Sequence, residues 1–228
     1  GASNIQGHIN GLRALIMHNC PSAHYIHCFA HQLQLTLVAV ANHHDDIEWF
    51  LGWVGVTLNV IGDSYRSRDE FHEKQTEAVE EALRLGELQT ERGLNQELGL
   101  GRPGDTRWGS HYKTFTNMIL MFAPIIDVLD VVASHGNHSP DRVAAQSALD
   151  ALQTFEFAFL LHLMKLVLGI TNALSQALQR RDQDIINAIS LLITAKRQLQ
   201  ETRDQGWDAL LNSVSSFCVK YDIEIPNM

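Results

Sequence analysis

The stretch "YIHCFAHQLQLTL" (25–37) sets His27, Cys28 and His31 close together, with His24 immediately before it. Thiolate and imidazole are standard zinc ligands, and Cys28 and His31 have the two-residue gap that a metal pair can use. The same two side chains could also serve as nucleophile and base. Alternation along a strand, however, puts His24, Ile26 and Cys28 on one side and Tyr25, His27 and Phe29 on the other, so the four do not converge on one ion. A structural zinc site takes four ligands, usually as two close pairs, and no second pair follows. His43 and His44 are adjacent, and His135 and His138 fall in a break far along the chain. A catalytic cysteine sits exposed at a helix N-terminus beside its base, whereas Cys28 is expected at a strand end inside an apolar run. The residues therefore favour a buried thiol with no metal, beside a histidine that hydrogen-bonds near a helix start.

"DTRWGSHYKT" (105–114) is the second constellation, combining Arg107, Trp108, His111 and Lys113 with hydroxyl residues at a loop-to-helix junction. An aromatic ring among cations suits stacking on a base while the cations meet phosphate. The same residues also suit a core tryptophan with Thr106 or Ser110 capping the next helix. Both readings stay open. "GLGRPG" (99–104) matches a dinucleotide-binding fingerprint only in letters, since no strand precedes it and Pro103 interrupts the turn. Acidic residues lie mainly on charged helical faces, and nothing nominates a carboxylate set for two-metal chemistry.

The elements that must position these residues are overwhelmingly helical. "AHYIHCF" (23–29) is the one convincing strand. Helical periodicity marks a first helix capped by Ser3, with Ile5, Ile9, Leu12 and Ile16 on one stripe. Further helices are expected from about Ala30 to Asn42 and from about Asp46 through Ile61. A charged stretch at 66–98 contains the i,i+4 pair Glu70–Lys74 and reads as a solvated helical face. Helices near 111–134, 141–153, 155–180, 182–204 and 207–221 follow, with Ser139 as a cap and Pro140 at the first helical position. The apolar run at 155–170 is interrupted by Glu156, His162 and Lys165, which argues for a buried helix and against a membrane span. Three scattered cysteines do not make a disulfide framework and point to a reducing compartment. A net charge of −9 counts against nonspecific attraction to a phosphate backbone, although local cations can still line a groove.

"GASN" (1–4), "YIHCFAHQLQLTL" (25–37) and "DTRWGSHYKT" (105–114), in that order, carry a pattern that resembles hAT-family transposases. The likeness is greatest to plant TTF-type zinc-finger proteins with a hAT dimerisation domain, which are related to MYM-type zinc-finger proteins. It extends over "LGITNALSQALQRRDQDIINAI" (168–189) and "IEIPNM" (223–228). The resemblance implies a mainly α chain: residues 1–43 would be part of a ribonuclease-H-like core, and 44–228 a mainly helical insertion. It makes Cys28 and His31 the family's CxxH motif, a structural support for the active-site region, and Trp108 the tryptophan that stacks on a flipped base in active relatives. It places all three catalytic carboxylates, the zinc finger and the C-terminal dimerisation segment outside these residues. The implied protein is nuclear and transposon-derived. It binds DNA or a partner without catalysis in this chain, needs no cofactor here, meets no membrane, and forms a homo-oligomer through the missing segment. A divalent metal enters only if the full-length protein is an active transposase. The alternatives are an inactive piece of a working transposase and a helical protein-interaction scaffold.

Overall fold

The computed structural model describes residues 11–23, 28–41, 43–63, 76, 108–136, 138–180 and 184–227. Among them the regular structure is entirely helical: α1 (Leu12–Asn19), α2 (Phe29–Ala41), α3 (Asp45–Asp63), α4 (Trp108–Leu120), α5 (Phe122–His135), α6 (Ser139–Leu152), α7 (Phe155–Leu178), α8 (Ile185–Gln205) and α9 (Trp207–Lys220). The helix predicted from Ser3, the charged stretch at 66–98 and the loop through Arg107 fall mostly or wholly outside the described residues. So do positions 24–27 of the expected strand. At the described ends that strand is absent: Ala23 and Cys28 have no regular structure, and Phe29 opens α2. The alternation of "AHYIHCF" was the whole case for a strand, and no strand among the described residues is there to pair with it.

α7 is the centre of the bundle, in contact with α2, α3, α4, α6, α8 and α9. It is long and apolar enough to cross a membrane by length and composition, yet half of that span is buried against neighbouring helices. Thr154 starts it by accepting a hydrogen bond from the backbone N–H of Phe157 at 3.2 Å. Phe157, Ala158, Leu161 and Leu168 are fully enclosed along it, at the three- and four-residue spacing that defines one helical face. Gly169 lets α4 come close: a side-chain carbon there would stand 3.2 Å from the Tyr112 ring. Gln34 of α2 donates to the Ser175 hydroxyl of α7 at 3.3 Å, and Gln179 donates to the same oxygen at 3.1 Å.

Two aromatic groups organise the core. The Phe50 ring lies 5.2 Å from Phe115 and 5.1 Å from Phe157, joining α3, α4 and α7. Phe122, Phe217 and Tyr221 form a second group with centroids 4.7–4.8 Å apart, and the His162 ring stands edge-on to Phe217 at 4.9 Å. Such edge and tilted contacts suit the ring quadrupoles better than face-to-face stacking.

The single helix expected over 111–134 is two helices, bent by 81° at Met121. Pro124 explains the break. It has no N–H to give the Leu120 carbonyl, and its ring would clash with that carbonyl in a continuous helix. Met121 N–H still reaches the Asn117 carbonyl at 2.9 Å and Ile125 N–H the Met121 carbonyl at 3.0 Å, so the corner is tight. Ser139 is the first residue of α6 rather than its cap. His138 holds the cap position, without a side-chain hydrogen bond, and Pro140 is second. α9 ends as the backbone N–H of Ile223 bonds to the Cys218 carbonyl at 2.9 Å, with Asp222 between them at φ 55° and Ile223 and Cys218 both buried. This is a Schellman turn with its hydrophobic contact, built on a residue that has a Cβ.

Replacing Asp222 by glycine removes the steric cost of the left-handed conformation and is expected to stabilise the fold by about 1 kcal/mol, read from urea midpoints. Burial pushes the His162 imidazole below its ordinary value of 6.5, against the smaller raising effect of the Ala158 carbonyl, which accepts from its Nδ1–H at 2.8 Å; nearby Lys165 adds to the lowering. The unfolded chain then takes up a proton at this residue at a higher pH than the folded one, so the stability contributed by neutral His162 is present above 6.5 and is lost as the pH falls below it. Thermal melts between about pH 7.5 and about pH 5.5 should show this loss, and His162→Met should make the decline shallower.

Candidate functional site

Cys28 was expected to be buried on a strand face; it is exposed. It stands immediately before α2, and its carbonyl accepts the first-turn hydrogen bond from Gln32 N–H at 3.0 Å. The residue is therefore positioned by a helix start rather than by a sheet, and its thiol reaches solvent. His31 follows in the first turn of α2, half-buried. This placement removes the argument that set Cys28 apart from reactive cysteines, which was its supposed strand position. Among the described residues, no group of three or more histidine, cysteine, aspartate or glutamate side chains gathers as a metal site.

The second constellation is divided by its helix. Arg107 lies outside the described residues, and Trp108 opens α4. His111 is 9% exposed, with its ring 5.9 Å from Phe115, so it belongs to the core side of α4. Lys113 is exposed. Residues two apart on an α-helix stand about 200° apart around its axis, so His111 and Lys113 cannot address the same ligand surface. Of the two expected hydroxyl caps, Thr106 lies outside the described residues, and Ser110 is the third residue of α4 rather than its cap. The Ser110 carbonyl accepts from the Thr114 hydroxyl at 3.0 Å, a bond within the helix that satisfies a buried threonine. Among the constellation's described side chains, Lys113 is the exposed cation, one turn and a half from the helix start.

A feature the motifs did not flag lies at the C-terminal end of α2. Leu35, Thr36, Ala39, Val40, His43 and His44 line an open, largely apolar groove of about 520 Å³. Leu35 and Val40 are exposed within it. The Nδ1 of His43 is 2.6 Å from the Ala39 carbonyl; as the donor in that bond it leaves Nε2 facing outward. The His44 carbonyl accepts from Ile47 and Glu48 N–H at 3.0 and 3.1 Å, so the loop carrying both imidazoles is tied to the start of α3. The sequence signal was present in the apolar spacing of α2, but a helix with apolar residues on several sides does not disclose which of them its neighbours leave uncovered.

No protein-family model matches the chain, and no solved structure matches it.

If Trp108 stacks on an exposed base, Trp108→Ala should weaken binding of the full-length protein to hairpin or junction DNA by ~1–3 kcal/mol with little change in melting temperature. Lys113→Ala should weaken binding across all sequences and reduce its salt dependence. If the ring instead packs in the core, truncation should cost ~3–5 kcal/mol of stability, and a lowered melt without a binding defect would remove the DNA role.

Proposed function

We propose that this chain is the non-catalytic, mainly helical part of a hAT-transposase-derived nuclear protein, and that it acts by binding another protein. The order of the motifs at 1–4, 25–37 and 105–114 supports the family, with residues 1–43 as a remnant of the ribonuclease-H-like core and 44–228 as helical insertion. The observation that carries the protein-binding reading is the open apolar groove along the end of α2. A side chain from a partner helix laid there would cover Leu35 and Val40, while the two imidazoles at the rim offer polar contacts. The net charge of −9 suits a partner segment with basic flanks better than it suits a phosphate backbone.

DNA binding is the second reading, favoured by exposed Lys113 in the helix that Trp108 opens. The catalytic alternative, a piece of a working transposase, is decided by the flanking sequence of the gene product: three carboxylates at the family positions favour the enzyme, and their loss favours domestication.

A photo-crosslinking amino acid placed at Val40 and, separately, at Lys113 in the full gene product distinguishes these readings in nuclei. Crosslinks to protein from position 40 and none to DNA from position 113 are expected. Val40→Glu should weaken the captured interaction at least tenfold, or about 1.4 kcal/mol, in a titration with the purified partner. DNA crosslinks at 113 with none to protein at 40 would reverse the assignment.

A further inference from the structure

The chain has prolines at 21, 103, 124, 140 and 226, and of these only Pro140 follows a hydroxyl residue, Ser139. Arg142 stands three positions after that serine. A serine, then a proline, then a cation at the third position is the order selected by one class of proline-directed protein kinases. Such an enzyme accepts a residue with no N–H after the acceptor and holds the cation by charge. The structure leaves every part of this signal in reach. Residues 138–143 are all exposed, and the Ser139 hydroxyl makes no hydrogen bond among the described residues.

A kinase takes its acceptor segment extended, so the first turn of α6 must open. Several features keep that cost low. The Pro140 ring disfavours the α region for the residue before it, so Ser139 holds the first helical position against its local preference. His138, at the cap, gives the turn no side-chain hydrogen bond. The backbone bond that closes the turn, from Arg142 N–H to the His138 carbonyl, is at the long end at 3.2 Å. The buried positions of α6 begin only at Ala145, so opening this turn leaves the core intact.

The same turn can hold the product. The first N–H groups of a helix have no partner within it and carry the positive end of its dipole. Arg142 is about 60° from Ser139 around the axis and one turn along, whereas Asp141 is about 160° away. The Arg142 stem packs on the α5–α6 turn, where its Cγ would lie 3.1 Å from a side-chain carbon added at Gly136. Arg197 and Arg203 are paired with carboxylates, but the Arg142 guanidinium has no such partner among the described residues.

We propose that Ser139 is the acceptor of a proline-directed serine kinase, and that its phosphate fixes the start of α6 by binding Arg142. In the transfer, Ser139 Oγ forms a bond to the γ-phosphorus of a Mg²⁺-bound nucleoside triphosphate. The bond from that phosphorus to the β-bridging oxygen breaks, the nucleoside diphosphate leaves, and the hydroxyl proton goes to the kinase's base. The phosphoserine carries about two negative charges and three acceptor oxygens at neutral pH. α6 packs on α3 and α5, so fixing its first turn firms the corner that these helices share. The site is distinct from the α2 groove, and the proposal does not depend on what fills it.

The test is incubation of the native whole chain with a purified kinase of this class and Mg²⁺-ATP. Intact mass should show one phosphoryl group, which fragmentation should place on Ser139 and Ser139→Ala should abolish. Pro140→Ala and Arg142→Gln should each slow the reaction, by about tenfold for the lost cation. The phosphorylated chain should melt about 2–4 °C above the unmodified one at low salt. Most of that gain should disappear in phosphorylated Arg142→Gln and in about 1 M salt. No incorporation into the native chain, incorporation that survives Ser139→Ala, or labelling only after heat unfolding would overturn the assignment of the acceptor. A phosphorylated chain that melts at or below the unmodified one would overturn the role of Arg142.

Discussion

Burial of α7 is the constraint on which the other helices depend. A 24-residue helix of mostly large apolar side chains cannot rest one stripe on a core and leave the rest in water, because it has little polar face to give. It must be surrounded. Each enclosed side chain such as Phe157, Leu161 or Leu168 contributes about 1.5–3 kcal/mol relative to exposure, and only the combined cover of several neighbours realises that gain. The notch at Gly169 sets how near α4 can lie, and the Thr154 cap sets where the helix begins. Moving the start by one residue would rotate every side chain by about 100° and pull the Phe157 ring away from Phe50. The buried polar groups obey the same order. Thr57, Thr114 and Thr171 return their hydroxyl protons to carbonyls of their own helices, while buried Ser175 accepts from Gln34 of α2.

The surface constellation shows how such packing overrides local appearance. Arg107, Trp108, His111 and Lys113 look like one cationic-aromatic cluster when written in a line. Once Phe115 is fixed against Phe50, the rotation of α4 is fixed too, and His111 turns inward while Lys113 turns out. Cys28 is the converse. It looked buried because its neighbours alternate, and it is exposed because it stands outside regular structure just before a helix. In both cases the chemistry a residue can offer is decided by an element several turns away.

Helices with caps or strong periodicity were legible in the sequence. α3, α6, α7, α8 and α9 start and stop within about three residues of where the period, proline and glycine placed them, the usual margin for such boundaries. The 81° corner was missed, although Pro124 was its signal, because the apolar period runs unbroken from Phe115 through Val132 and masks it. The expected strand is absent at its described ends, Ala23 and Cys28–Phe29, for a related reason: a period of two over a few residues is weak without partner strands. The α2 groove was legible only as apolar spacing, not as an uncovered surface. Whether Leu35 and Val40 are covered depends on where α2 meets α7, which the Gln34–Ser175 hydrogen bond marks and no local pattern encodes.

α8 inverts the ordinary arrangement of an amphipathic helix, and the inversion follows from how it meets the bundle. Small residues at 188 and 195 allow the backbones of α8 and its neighbours to approach closely, while an isoleucine there would hold them apart. Rotating α8 by about a quarter turn to bury Ile189 would bring β-branched side chains into a space shaped for methyl groups, and overpacking of that kind costs about 1–3 kcal/mol for each position. The exposure of Ile185, Ile186, Ile189 and Ile193 is thus fixed in place by the buried alanines. In that respect the α8–α7 contact and the exposed face of α8 are two consequences of one choice of residue sizes.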